Sequence, residues 1–220
     1  MKNNVKVSIS LLSANFLHLN DEIQKAENAG VDYLHFDVMD GHFVDNISFG
    51  LPVLKNINGA SKLINDVHIM IDNPLHFAKR FLLAGASILT FHYEACKNDE
   101  EIMEIINIIH DEHKLAGLSI KPLTPVDKIL KFLPYLDLIL IMSVEPGFGG
   151  QKYIESSTEK IKYLRDYIDK NNFNVLIEVD GGINETTSKI VKEAGVDILV
   201  AGSYLFNHDD INERVKKLKE

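Results

Sequence analysis

The sequence predicts a single-domain (β/α)8 barrel over residues 1–220. Three observations carry that expectation. Apolar, β-branched runs recur eight times, with stretches of helical period between them. Three of the helical stretches end in an Ala-Gly pair followed at once by the next apolar run: Ala29-Gly30-Val31-Asp32, Ala84-Gly85-Ala86-Ser87 and Ala194-Gly195-Val196-Asp197. Glycine there supplies the left-handed conformation that stops a helix. Short strand–helix units of this kind imply parallel strands with right-handed crossovers. Finally, Leu11-Leu12-Ser13-Ala14-Asn15 after the first strand lacks the Gly-rich fingerprint expected of an open, doubly wound sheet.

Taken in order, the expected strands are residues 7–12, 33–37, 63–69, 88–91, 117–120, 138–142, 175–179 and 198–201. Residues 20–28 read as a helix capped by Asn20, with Ile23 and Ala26 on one face. Residues 74–83, 99–113, 156–170 and 185–193 follow as amphipathic helices, and 209–219 closes the chain. No linker, low-complexity stretch or charge block divides it.

The bulk composition bounds the function. Hydrophobic residues are 45% and charged residues 25% of the chain, ordinary for a soluble globular protein. A net charge of −9 argues against nucleic acid as a partner, so an anionic substrate must be held by local devices. The one cysteine, Cys96, rules out an intrachain disulfide. No apolar run reaches the ~18 residues of a membrane span, and no signal-peptide pattern opens the chain. The expectation is a cytoplasmic protein.

The most informative stretch is His35-Phe36-Asp37-Val38-Met39-Asp40-Gly41-His42. Alternate side chains of a strand share a face, so His35, Asp37 and Met39 line up together. Asp66-Val67-His68-Ile69-Met70 repeats the idea with His68 and Met70, and Glu178-Val179-Asp180-Gly181-Gly182 adds a carboxylate at another strand end. In a parallel barrel such ends converge on the active-site face. Two imidazoles and two carboxylates, His35, Asp37, His68 and Asp180, form a mixed N/O donor set suited to zinc, iron, manganese or cobalt. Met39, Met70 and Met142 also fall at strand ends, as core filling or as an apolar cushion around a reactive intermediate. Gly147-Phe148-Gly149-Gly150, Gly181-Gly182 and Gly202-Ser203 follow the last three strands. Glycine lets backbone N–H groups approach an anion, and loops after strands 7 and 8 of such barrels often hold phosphate. His92 and Glu94 repeat the alternate spacing and read as ligands, as support for the ligands or as a rim pair. His18, His76, His110, His113 and His208 read as surface residues, and Cys96 as a bystander.

These motifs resemble those of ribulose-phosphate 3-epimerases, nearly end to end from Ser8 to Ser203. The resemblance rests on Ser10-Leu11-Leu12-Ser13-Ala14, His35-x-Asp37-Val38-Met39-Asp40-Gly41-His42-Phe43-Val44, Asp66-Val67-His68-x-Met70, Met142-Ser143-Val144-x-Pro146-Gly147-Phe148-Gly149-Gly150-Gln151 and Glu178-Val179-Asp180-Gly181-Gly182. It implies a TIM barrel with a phosphate site of the ribulose-phosphate-binding type, acting on a phosphorylated ketose. It implies interconversion of D-ribulose 5-phosphate and D-xylulose 5-phosphate by a metal-dependent 3-epimerase of the pentose phosphate pathway. One divalent ion per chain, zinc first among the candidates, would sit on His35, Asp37, His68 and Asp180. Asp37 and Asp180 would be the acid/base pair. Ser10 and His68 would lie near the sugar, with Met39, Met70 and Met142 around it. Gly147, Phe148, Gly149, Gly150, Gly181, Gly182, Gly202 and Ser203 would take the phosphate end. A homo-oligomer, dimer or hexamer, is the implied assembly. Four positions depart from the family's usual residues: Lys121 stands in place of Asn, Ile9 and Asp45 in place of Pro, and Asn15 in place of Asp. An epimerase of a longer ketose phosphate such as allulose 6-phosphate shares the chemistry. A metal-free decarboxylase would want Asp-x-Lys-x-x-Asp, and Asp37-Val38-Met39-Asp40 offers no lysine. A non-catalytic sugar-phosphate binder would not need both Asp37 and Asp180.

Overall fold

Eight parallel strands close into a ring in chain order, β1 (Lys6–Ser10), β2 (Tyr33–Met39), β3 (Ile64–Met70), β4 (Ile88–His92), β5 (Leu115–Ile120), β6 (Leu138–Met142), β7 (Leu176–Asp180) and β8 (Ile198–Ala201). This is a (β/α)8 TIM barrel, described by a computed structural model over residues 5–220. Each expected strand is present within two residues at either end; β1 stops two residues early, where a 3-10 turn, Leu11–Ser13, begins.

The helices are α1 (Leu19–Asn28), α2 (Leu51–Ile57), α3 (Pro74–Ala84), α4 (Asp99–Asp111), α5 (Ser156–Asn171), α6 (Glu185–Glu193), α7 (Ser203–Phe206) and α8 (Ile211–Lys219). Between β5 and β6 the chain makes 3-10 turns instead, Val126–Lys128 and Leu130–Tyr135, the second interrupted by Pro134. Asn20 does not cap α1. The chain enters that helix from a 3-10 turn, Phe16–His18, whose own cap is Asn15, so Asn20 lies inside the first turn. The Ala-Gly stops behave as expected, with Gly30, Gly85 and Gly195 all at positive φ.

Two apolar layers result from strand alternation. Phe36, Val38, Val67, Ile69, Ile139, Ile141, Ile177 and Val179 join the layer shared with the helices. Ile88, Leu138, Leu140, Met142, Val144 and Ile198 form a smaller cluster of their own. The Val-Asp pairs gain a structural reason at the base of the ring. Asp32 accepts the Val7 N–H and Asp197 the Ile177 N–H, at 2.9 and 2.8 Å. Asp137 does the same for Ala116 at 2.8 Å. Each carboxylate satisfies a backbone donor that the neighbouring strand's first residues would otherwise leave open. Among the described residues no helix is long and apolar enough to cross a membrane.

Candidate active site

Strand register decides which side chains meet. Ser10 pairs with His35, Asp37 with His68, Met39 with Met70 and Met142 with Asp180. His35, Asp37, His68 and Asp180 come together, each offering a donor atom within 4.8 Å of the others. Asp37 is the hub: Oδ1 lies 3.2 Å from both His35 Nε2 and His68 Nδ1, and Oδ2 accepts the Ser10 hydroxyl at 2.7 Å. Both histidines are fully buried, and among the described residues His35 Nε2 has no hydrogen-bond partner despite that burial. A buried ring nitrogen with no hydrogen bond, facing a carboxylate and a second imidazole, fits a cation better than it fits a closed core.

The two aspartates sit in different electrostatic settings. Burial raises the Asp37 carboxyl, but the His35 and His68 imidazoles beside it outweigh burial and hold it far below the ordinary carboxylate range. Asp180 has no side-chain hydrogen bond among the described residues, and the His35 charge that lowers it is outweighed. Burial, reinforced by the negative charge of Asp37, pushes it up to about 7. Burial likewise lowers His68, keeping its ring neutral. It works against charge on His35 too, but Asp37 and Asp66 override it and hold that imidazole well above its ordinary value.

Beneath this group lies a second buried set that the sequence reading left without a role. Asp66 Oδ2 lies 2.6 Å from His35 Nδ1 and accepts the Ser8 hydroxyl at 2.8 Å; Glu178 Oε1 is 4.0 Å from the same ring nitrogen. Burial and the Asp66 charge raise Glu178 well above the carboxylate range. The signal was present: Ser8, Asp66 and Glu178 each stand two residues before a recognised site residue, on the same strand face.

A cleft of about 670 Å³ opens above the strand ends. Every other predicted site residue lines it: Ser10, Met39, Met70, Met142, Gly147, Phe148, Gly149, Gly150, Gly181, Gly182, Gly202 and Ser203, together with Asp37 and Asp180. His35 and His68 lie behind that lining. Met39 and Met70 cluster with Val44, flanked by Leu12 and Phe43, so one wall is dry. The opposite end is made by the Gly loops. A Cβ at Gly182, which sits at φ +65°, would fall 2.4 Å from the Tyr153 backbone nitrogen, and one at Gly202 would fall 2.6 Å from Ser13 Oγ. α6 reinforces this end, because Thr187 closes the capping box with Asn184 and donates its hydroxyl to Gly182 O at 2.9 Å. Lys152 is the one lysine or arginine among the described residues that line the cleft, so an anion there depends chiefly on backbone N–H groups. Ser13, Tyr153 and Asn184 also line it and were not singled out from sequence.

His92 and Glu94 are joined to the group rather than to the rim. His92 Nε2 is 2.9 Å from His68 Nε2, and its Nδ1 is 3.2 Å from Glu94 Oε2. Burial lowers His92 to about 4. Lys121 lies nearby, with Nζ 3.9 Å above the Phe43 ring, whose centroid is 4.7 Å from that of His92. The five remaining histidines named above are exposed, and burial pushes the Cys96 thiol up to about 12, leaving it unreactive.

The sequence matches the Ribulose-phosphate 3 epimerase family over residues 6–206. It is 42% identical over 213 residues to the ribulose-phosphate 3-epimerase of Mycobacterium tuberculosis, covering 97% of this chain and 91% of that protein. It is 43% identical over 216 residues to that of Methanocaldococcus jannaschii, covering 98% and 90%. With the enzyme of Bacillus subtilis it shares 42% over 216 residues, covering 98% of each. Among solved structures, KGPDC from Streptococcus mutans superposes with a TM-score of 0.74 at 14% identity, covering 99% of this chain and 96% of that one. The 3-hexulose-6-phosphate synthase of Salmonella typhimurium gives 0.68 at 17%, covering 98% and 97%. At such identities these two share the fold alone.

Proposed function

Because the chain belongs to the ribulose-phosphate 3-epimerase family and is therefore an isomerase, we propose that it interconverts D-ribulose 5-phosphate and D-xylulose 5-phosphate by two-base proton transfer at C3. The observation that carries this reading is the contrast between Asp37 and Asp180. They stand on β2 and β7, separated around the ring by β1 and β8. One is held ionised and the other is raised to about 7. Two carboxyl groups with their proton affinities pushed apart make an acid/base pair.

In one direction Asp37 takes the C3 hydrogen as a proton from one face of the ketose. Asp180 delivers its proton to C3 from the other face. The electron pair left by the first transfer spreads into the neighbouring carbonyl as an enediolate and returns to C3 as the second proton arrives, so the carbon inverts and the atoms balance. The reverse direction exchanges the two roles. Ser10 holds Asp37 in its rotamer through the 2.7 Å hydrogen bond. Met39, Met70 and Met142 keep water from the reacting carbon. The loops at Gly147–150, Gly181, Gly182, Gly202 and Ser203 grip the phosphate, and this remote binding energy aligns C3 between the carboxylates.

A divalent cation, zinc foremost, would be held by His35 Nε2, His68 Nδ1, Asp37 and Asp180. When bound it supplies Lewis acidity that makes the hydrogen beside a ketone acidic enough for a carboxylate to remove. The deciding experiment assays purified protein with ribulose 5-phosphate and with allulose 6-phosphate. Preferential inversion of the pentulose supports the reading, preference for the hexulose moves the substrate, and inversion of neither overturns it.

A further inference from the structure

We propose that His92 and Glu94 are positioning residues that fix His68 in the one tautomer able to bind a cation. This rests on the reading that His35, Asp37, His68 and Asp180 hold a divalent metal.

Two imidazole nitrogens face each other 2.9 Å apart, His68 Nε2 and His92 Nε2, both fully buried. A bond that short between neutral rings needs one N–H and one lone pair. Glu94 decides which ring donates. Its Oε1 accepts the Lys121 backbone N–H at 2.8 Å and the Thr124 hydroxyl. Its Oε2 faces His92 Nδ1 at 3.2 Å. A carboxylate only accepts, so His92 must carry its proton on Nδ1. Its Nε2 is then the acceptor, and His68 must donate from Nε2. That leaves a lone pair on His68 Nδ1, 3.2 Å from Asp37 Oδ1. Two acceptors held at that distance make a place for positive charge. The opposite arrangement would set the His92 Nδ1 lone pair against a carboxylate oxygen. Outer partners of this kind commonly set the orientation and tautomer of a ligating histidine.

The geometry makes Glu94→Gln more damaging than Glu94→Ala, against the usual order. In Glu94→Gln the Lys121 N–H still needs an acceptor, so the amide oxygen takes the Oε1 position and the NH2 group faces His92 Nδ1. His92 must then accept at Nδ1 and donate from Nε2. His68 is forced to carry its proton on Nδ1, where the cation belongs. Glu94→Ala removes the anchor without imposing the wrong proton.

The test measures zinc affinity by chelator competition for the wild type, Glu94→Gln and Glu94→Ala, with thermal unfolding of the metal-free forms as a check on folding. The expected order of affinity is wild type, then Ala, then Gln, with Gln at least ~10-fold weaker than wild type. Metal-free Glu94→Gln should melt no lower than Glu94→Ala, because it keeps the bonds to Lys121 and Thr124. Zinc binding by Glu94→Gln equal to wild type, or tighter than Glu94→Ala, overturns the inference while leaving the metal reading in place. A wild type that binds no divalent metal overturns the metal reading, and this inference with it.

Discussion

Asp180 should make the metal-free protein lose stability as pH rises through neutrality, opposite to the behaviour of an ordinary salt-bridged carboxylate. Its carboxyl is raised from 3.8 to about 7 by burial and by the Asp37 charge. A carboxyl with a higher pKa folded than unfolded binds its proton more tightly in the folded state. The resulting stabilisation is complete below the unfolded value and is lost as pH passes the folded one. With a folded pKa of about 7, moving from pH ~6 to pH ~8 removes about 1.4 kcal/mol from this group alone. For a chain of this length that is a fall of roughly 3–6 °C in Tm. The assay is thermal unfolding of chelator-stripped protein at the two pH values, beside Asp180→Asn. Other buried groups titrate as well, Glu178 with the same sign, so the quantity that matters is the difference between the two proteins. Asp180→Asn should show a shallower fall by about that amount. Equal slopes would refute the claim that Asp180 is held protonated by its surroundings.

Three further outcomes are expected. Asp37→Asn and Asp180→Asn should each lower epimerisation by about 100-fold or more, the scale of a lost general acid or base. Incubation of one substrate epimer in heavy water should then reveal C3 exchange without inversion wherever the remaining carboxylate still works, and near-normal epimerisation by both variants would exclude the two-base scheme. His68→Ala should lose bound metal and activity together, read by elemental analysis of protein purified without chelators. Gly202→Val should raise KM by about tenfold, ~1.4 kcal/mol, while kcat falls less, because its Cβ would lie 2.6 Å from Ser13 Oγ and 3.4 Å from Ser10 Cβ. Equal kcat/KM for phosphorylated and free ribulose in the wild type would contradict a phosphate role for that loop.

The ring and the four central donors were legible because both depend on strict alternation. A strand closed on both faces reads as a continuous apolar run, and a polar residue inside such a run announces itself, as Asp37 and His68 do. What the sequence did not disclose was of three kinds. Asp66, Glu178 and Ser8 obey the same alternation but sit one layer deeper, where a polar residue has no obvious chemistry until its partner is seen. α2 was not among the expected helices; it is short, and its Pro52 sits at the second helical position, where the first-turn N–H groups have no partner anyway. The direction of the His92 ring was not legible at all. It depends on Glu94, whose own oxygens meet the Lys121 N–H and the Thr124 hydroxyl in the turn after β5.

The unbroken circle from β1 to β8 has a consequence for how copies of this chain can meet. A sheet with a loose margin offers a row of unused backbone donors and acceptors to any passing strand. Here β1 and β8 use theirs on each other, through pairs from Lys6 with Ile198 to Ile9 with Ala201. Any self-association would therefore draw on the outer helices and connecting loops rather than on an open edge of the ring.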